Sequence, residues 1–154
     1  VEQVVSTAQF GDLIEFSYPI GYAHWGVYDG DGYVIHFGTI FPVCGDLLLG
    51  ETKIRRQLLS EINVPKGARV SVSNNKHELE PSPVHEIRIR RDALLGKEFT
   101  YKLLTQNCEH FATFVRSGKA ICNQVIYLLK LNFLCRKKAI LILLNSNQLQ
   151  RERN

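Results

Sequence analysis

Cysteine is scarce in this chain and widely scattered, with no pair at a familiar metal-binding spacing. The four stand at 44, 108, 122 and 135, with no CxxC pair, no C-x-x-H pair and no dense framework. That spacing argues against zinc and against a disulfide scaffold, and fits reduced thiols in an intracellular chain. A basic-then-apolar leader with a small-residue cleavage site is also missing from the start, which points the same way. Internal repeats and low-complexity segments are absent. Acidic residues run out toward the C-terminus: residues 110–154 carry 8 Lys/Arg and 1 acid, Glu152, whereas residues 1–109 carry 11 Lys/Arg and 14 Asp/Glu. Long apolar runs are lacking too. The longest in the tail is "AILILL", with Lys130 and Arg136–Lys138 breaking the rest. No clear spanning helix of about 20 apolar residues is therefore written there.

What is present is a chain of 154 residues, 45% hydrophobic and 22% charged, enough for one globular domain with a closed core. A mildly acidic body, 1–124, carries an apolar and basic tail, 125–154. Such tails seek anionic partners, and the interleaved leucine and isoleucine favour a lipid surface over nucleic acid. No nucleic-acid-binding motif accompanies the charge.

Along the body, "GDLIEFSY" reads as a strand. "HWGVYDGDGYVIHFG" reads as a hairpin, two aromatic and β-branched runs around Asp29-Gly30-Asp31-Gly32. "KIRRQLLSEI" is open between strand and short helix, and "ARVSVSN" alternates as a strand does. Ser82-Pro83 is a helix entry, and "VHEIRIRRDALLGK" a helix stopped near Gly96. "EFTYKLL" is extended. A last helix runs from about Asn107 to Ser117 and stops at Gly118. Strands first and helices later predict an α+β fold with an antiparallel sheet.

Cys108 falls where that last helix begins. On a helix it shares a face with Phe111 and Val115, with Phe114 beside them. One reading makes it a small core residue, since free cysteine is among the most buried types. The other makes it a nucleophile, because unpaired N–H groups and the positive dipole end of a first turn favour a thiolate. The same N–H groups suit an oxyanion. His110, about 200° further round the helix, faces away and is expected to be a surface or second-layer histidine. The base should come from elsewhere. His24 and His36, on the two arms of the hairpin, are candidates only if they share a face. An even loop, with residue 28 opposite 33, separates them. An odd loop or a G1 bulge, with 28 opposite 32, sets His24 directly across from His36. Glycines at 30 and 32 are what the bulged case needs, so the pattern permits a Cys–His–His cluster without requiring one.

"GDLIEF…GYAHWGVYDGDGYVIHF", "VSNNKHE…SPV" and "LLTQNCEHFATFVRSG" resemble the LRAT-like thiol enzymes from about Gly11 to Gln124, and more closely their phospholipase A and acyltransferase branch, the H-Ras-like suppressors. The resemblance implies a circularly permuted papain-like (NlpC/P60-like) α+β fold over 1–124. It implies Cys108 as nucleophile, His24 as general base and His36 as the third member that orients the His24 ring. The substrate class would be glycerophospholipids, hydrolysed as by a phospholipase A1/A2 or used for N-acylation of phosphatidylethanolamine and O-acylation of lysolipids. An acyl-thioester on Cys108 would be the intermediate, with no cofactor and no metal. The expected setting is cytoplasmic, with peripheral or C-terminal membrane association through the tail. A monomer is expected, with no nucleic-acid partner. The oxyanion donors beyond the Cys108 backbone stay open, with Tyr22 a guess. The alternative is a non-enzymatic interaction module of the picornaviral H-box/NC type. A papain-like peptidase also fits the fold, though an apolar basic tail has no use in cutting soluble peptides.

Overall fold

The computed structural model describes residues 1–19, 23–38, 50–62, 64, 66–101 and 107–124. The chain divides into two compact units, Val1–Cys122 and Asn123–Asn154. All that follows concerns the first. The expected membrane-associating tail, 125–154, lies outside the described residues, as do Tyr22, Cys44 and Cys135. Among the described residues no helix is long and apolar enough to cross a membrane.

The elements run α1 (Glu2–Thr7), β1 (Leu13–Ser17), β2 (Ala23–Gly30), β3 (Tyr33–Phe37), β4 (Gly50–Leu58), β5 (Arg69–Val72), α2 (Val84–Leu94), β6 (Glu98–Tyr101) and α3 (Cys108–Ser117). The strands form one antiparallel sheet in the order β5-β1-β2-β3-β4-β6. The fold is thus α+β, as the order of strand and helix signals predicts. "KIRRQLLSEI", open in the sequence, supplies most of β4, and its residues Ile54 to Leu58 pair with all five residues of β3. Helix α1 had no expectation attached to it.

Both faces of the sheet are covered, which is why β1, β2 and β3 are apolar at odd and even positions alike. One face carries Leu13, Ala23, Trp25, Val27, Ile35, Phe37 and Ile54, packed against Ile87 of α2 and Cys108, Phe111, Ala112 and Val115 of α3. The other carries Ile14, Phe16, Tyr28 and Val34, covered by Val4 of α1 and by Leu59 and Ile62 after β4. The α3 stripe differs from expectation in one member. Ala112, about 40° from Cys108 around the helix, is buried, whereas Phe114, about 240° away, is among the exposed hydrophobics and sits near Arg90. Helix α2 also starts differently. Pro83 itself takes the N-cap position, so no side chain caps the helix. The Ser82 N–H instead bonds the Arg116 carbonyl at 2.9 Å.

The β2–β3 hairpin sets everything near the site. Asp31 and Gly32 form its turn with φ of 51° and 81°, and Gly30 has φ 88°. Positive φ at both turn residues is what an Asp-Gly hairpin turn of the primed kind requires. Gly30 pairs Tyr33, but the next pair is Tyr28 with Val34, so Asp29 is an extra residue on the β2 arm. The bulge and the shared histidine face are as expected, but the register is not. Residue 28 pairs with 34, not with 32 or 33, and His36 pairs with Gly26. His24 therefore lies diagonally from His36, one step along the same face, and not directly across. The residue pattern suggests an extra residue within the loop, whereas the chain takes it into the strand.

Asp29 does not leave its position to the backbone alone. Its carboxylate is buried and meets Arg56 Nε and Arg91 Nη1, each at 2.6 Å. Hydrogen bonding to Asp29 raises the Arg91 pKa further. Since both arginines keep some solvent, the clamp is worth less than a fully buried pair. We expect Asp29→Ala to lower unfolding stability by about 1–3 kcal/mol. Urea unfolding of the variant checks this, and a loss below about 0.5 kcal/mol, the range of an ordinary surface substitution, would mean the bulge is held by the glycine geometry alone.

Candidate active site

His24 and His36 meet in the interior. The His24 Nε2 atom is 3.0 Å from His36 Nδ1, and the rings stand edge to face at 5.2 Å between centroids. His36 Nε2 is 2.7 Å from Gln57 Oε1. A carbonyl oxygen can only accept, so His36 donates from Nε2 and offers the lone pair of Nδ1. His24 must then donate from Nε2, which leaves the lone pair of its own Nδ1 free of a proton. Gln57, on β4, thus sets the tautomer of a ring that it does not touch. Its role could not be read in advance, because the segment carrying it had no assigned register.

Both rings are neutral at ordinary pH. Burial, then the charge of His36, holds the His24 pKa well below the usual histidine range. His36 is lowered as well, chiefly by burial, against the opposing pull of the Gln57 hydrogen bond. A buried, neutral imidazole with an unprotonated Nδ1 is a competent base.

Gly26 makes the meeting of the rings possible. A Cβ there would come within 2.5 Å of Val34 Cγ1, 3.0 Å of the Ile35 carbonyl and 3.2 Å of His36 Cβ. The sequence carries no sign of this, since the glycine matters only once His36 is known to face it.

Cys108 is buried at the first residue of α3. Asn107 caps the helix, its side-chain oxygen accepting from the Glu109 and His110 N–H groups at 3.0 and 3.1 Å. His110 Nδ1 in turn accepts from the Asn107 N–H, closing a capping box. His110 is therefore a helix-start residue, in keeping with a second-layer place. Its pKa is lowered by burial. Asn107 as a cap was legible from residue type alone.

Helix α3 packs on the face of Ala23, Trp25 and Val27, whereas His24 and His36 belong to the opposite face with Phe16 and Val34. The thiol approaches at the sheet's end. Its sulfur lies 3.9 Å from the carbonyl of Ala23, the first residue of β2 and the one before His24. Tyr18, just past the end of β1 on the histidine face, has its pKa pushed up to about 12, first by burial and then by the negative charge of a Cys108 thiolate. The structure therefore joins His24 to His36 directly and places the Cys108 sulfur against the backbone of Ala23, the residue before His24, on the other face of the sheet.

An antiparallel α+β domain with a helix-capped thiol and a buried histidine pair defines a thiol–histidine class of protein. The chain belongs to the lecithin retinol acyltransferase (LRAT) family, whose model matches residues 6–121. It is similar to human phospholipase A and acyltransferase 2, 37% identical over 126 residues that cover 76% of this chain and 75% of the relative. Human phospholipase A and acyltransferase 4 is 37% identical over 123 residues, 75% of this chain and 73% of its own. Mouse phospholipase A and acyltransferase 3 is 36% identical over 124 residues, 75% and 74%.

Two outcomes follow from the buried pair. Unfolded histidines take up a proton near pH 6.5, while the native rings resist it. The unfolded state then binds more protons, so stability is full above about 6.5 and declines as pH falls toward the depressed native values. The slope is up to about 1.4 kcal/mol per pH unit for each ring. Urea midpoints at pH 7.5 and 5.5 should separate for the native chain and close up in His24→Gln. An unchanged gap would locate the acid sensitivity elsewhere. Gly26→Ala should cost about 1–3 kcal/mol through overpacking and should also break the His24–His36 hydrogen bond. Loss of the imidazole N–H signal of that bond in the nuclear magnetic resonance spectrum reads the second effect, and its persistence would count against the steric argument.

Proposed function

We propose that the chain is a cysteine-nucleophile phospholipase A1/A2 and acyltransferase acting on glycerophospholipids. The observation that carries this reading is the directed line Gln57–His36–His24, which leaves the His24 Nδ1 lone pair unprotonated. In this reading Cys108 gives its proton to that atom and its sulfur attacks an ester carbonyl of the lipid. The resulting tetrahedral adduct collapses to an acyl-thioester as its C–O bond to the glycerol oxygen breaks. His24 returns the proton to the departing lysophospholipid oxygen. Attack by water then releases a fatty acid. Attack by an amine such as that of phosphatidylethanolamine, or by a lysolipid hydroxyl, gives the N- or O-acylated product.

Several observations support it. A thiol at a capped helix start has backbone N–H groups and the helix dipole on its side. Tyr18 stays a protonated phenol within reach of the thiolate's charge. The histidines precede the cysteine in the chain, the reverse of the papain order, which suits a circularly permuted papain-like arrangement. The names of the relatives fit the chemistry. We further propose that the chain works as a monomer on the cytoplasmic side of membranes, with the basic and apolar segment 125–154 holding it to the lipid surface.

Intact-mass measurement after mixing with phosphatidylcholine tests the reaction class. A fatty-acyl increment is expected on the native chain and not on Cys108→Ser. His24→Ala should slow turnover by about 10²–10⁴-fold, whereas His110→Ala should change chemistry little. No increment on the native chain, or equal losses from both histidines, would overturn the reading and favour an interaction module.

A further inference from the structure

The start of α3 is held by a ring of hydrogen bonds that the thiol chemistry does not itself use. Asn107 Nδ2 donates to Cys122 Sγ at 3.2 Å. Cys122 donates its S–H to Glu109 Oε2 at 2.8 Å. The Glu109 N–H donates back to Asn107 Oδ1 at 3.0 Å. Each member gives a proton to the next, so the ring runs in one sense and the Asn107 amide cannot be turned over without breaking three bonds, those to Cys122, Glu109 and the His110 N–H. The fourth member braces it from outside. His77 Nε2 is 2.7 Å from Glu109 Oε1, and the His77 ring stands edge-on to Trp25 at 4.9 Å. Asn107, Glu109, Cys122 and His77 are all buried. A buried carboxylate so close to a nucleophilic thiol is costly unless its hydrogen bonds are met, and here both oxygens are engaged by side chains.

We propose that Glu109, His77 and Cys122 are positioning residues for Cys108: they hold the Asn107 amide in the orientation that caps α3, and so fix where the thiol stands. This rests on the reading of Cys108 as the nucleophile. His77 also ties the cap to Trp25, the neighbour of His24, so the helix start and the base strand are braced against each other. None of the three residues needs to touch lipid.

Substitution chemistry separates positioning from simple packing. Cys122→Ser keeps a donor and an acceptor at the same point of the ring. Cys122→Ala removes that point. Glu109→Gln removes the carboxylate charge and sets an amide N–H either against the Cys122 S–H, donor against donor, or against His77 Nε2, which must then give up its proton to Nδ1 to accept. With micellar phosphatidylcholine, and with each variant shown to be folded by circular dichroism at the assay temperature, Cys122→Ala and Glu109→Gln should lower kcat about 10–100-fold at unchanged KM. Cys122→Ser should stay within about twofold of the native chain, since its hydrogen bonds are retained. The alkylation rate of Cys108 by iodoacetamide, assigned by peptide mass, should follow the same order. Folded Cys122→Ala with native kcat and native alkylation, or Ser failing as badly as Ala, would overturn the proposal. If Cys122→Ala does not fold, Glu109→Gln decides by the same criteria. If the native chain turns over no lipid yet alkylation still follows the series, the lipid reading falls and the positioning role stands. If the native chain turns over lipid normally and the series leaves both rates unaffected, the positioning role falls and the lipid reading stands.

Discussion

One extra residue in one strand decides the geometry of this molecule. Side chains alternate along a strand, so the insertion of Asp29 into the β2 arm reverses which residues of that arm share a face with β3. Were Asp29 paired in turn with Val34 and not bulged out, the ladder would run on from Gly30–Tyr33 without a shift, and His24 and His36 would point to opposite faces. Their hydrogen bond, the tautomer imposed by Gln57 and the space left at Gly26 all presuppose the bulge. The protein holds that residue with two arginines from β4 and α2, so the register of a local hairpin is guarded by distant elements.

Much of this was legible in the sequence, and the exceptions have physical causes. The hairpin, the helix bounds near Asn107 and Gly118, and the α+β order follow from local chemistry, which neighbouring residues carry among themselves. The shared face of His24 and His36 was legible only as one of two parities. Glycines permit a bulge but do not say which arm takes it. Gln57 and Gly26 were invisible because their significance depends on partners eight or more residues away, in a register that no local pattern specifies. Phe114 was misplaced for a simpler reason: a helical face some 100° wide admits Ala112 before it admits a bulky neighbour on the far side. Cys122 and His77 gave no local signal, being single residues in unremarkable surroundings that acquire meaning through Glu109.

The α3 start shows how burial and polarity are reconciled. A thiol, an amide, a carboxylate and an imidazole are packed among apolar side chains and are linked by hydrogen bonds, with His77 Nδ1 the one buried atom of the four groups that has no partner among the described residues. Such an arrangement is rigid because a lapse anywhere strands a polar group without water. The same constraint governs the His24–His36 pair, which stays neutral because burial disfavours a positive charge on either ring.

The distances along the chain between these groups carry a last consequence. His24 and His36 are 12 residues apart, and a single hairpin brings them together, whereas the contact between Cys108 and Ala23 spans 85 residues. Contacts that are local in sequence close early and at little entropic cost, and long-range ones wait for the loop between them to be ordered. The His24–His36 pair can thus close within its own hairpin, whereas the Cys108 sulfur meets its surroundings only once α3 has docked against the start of β2, so the two halves of the candidate site are set at different stages of folding.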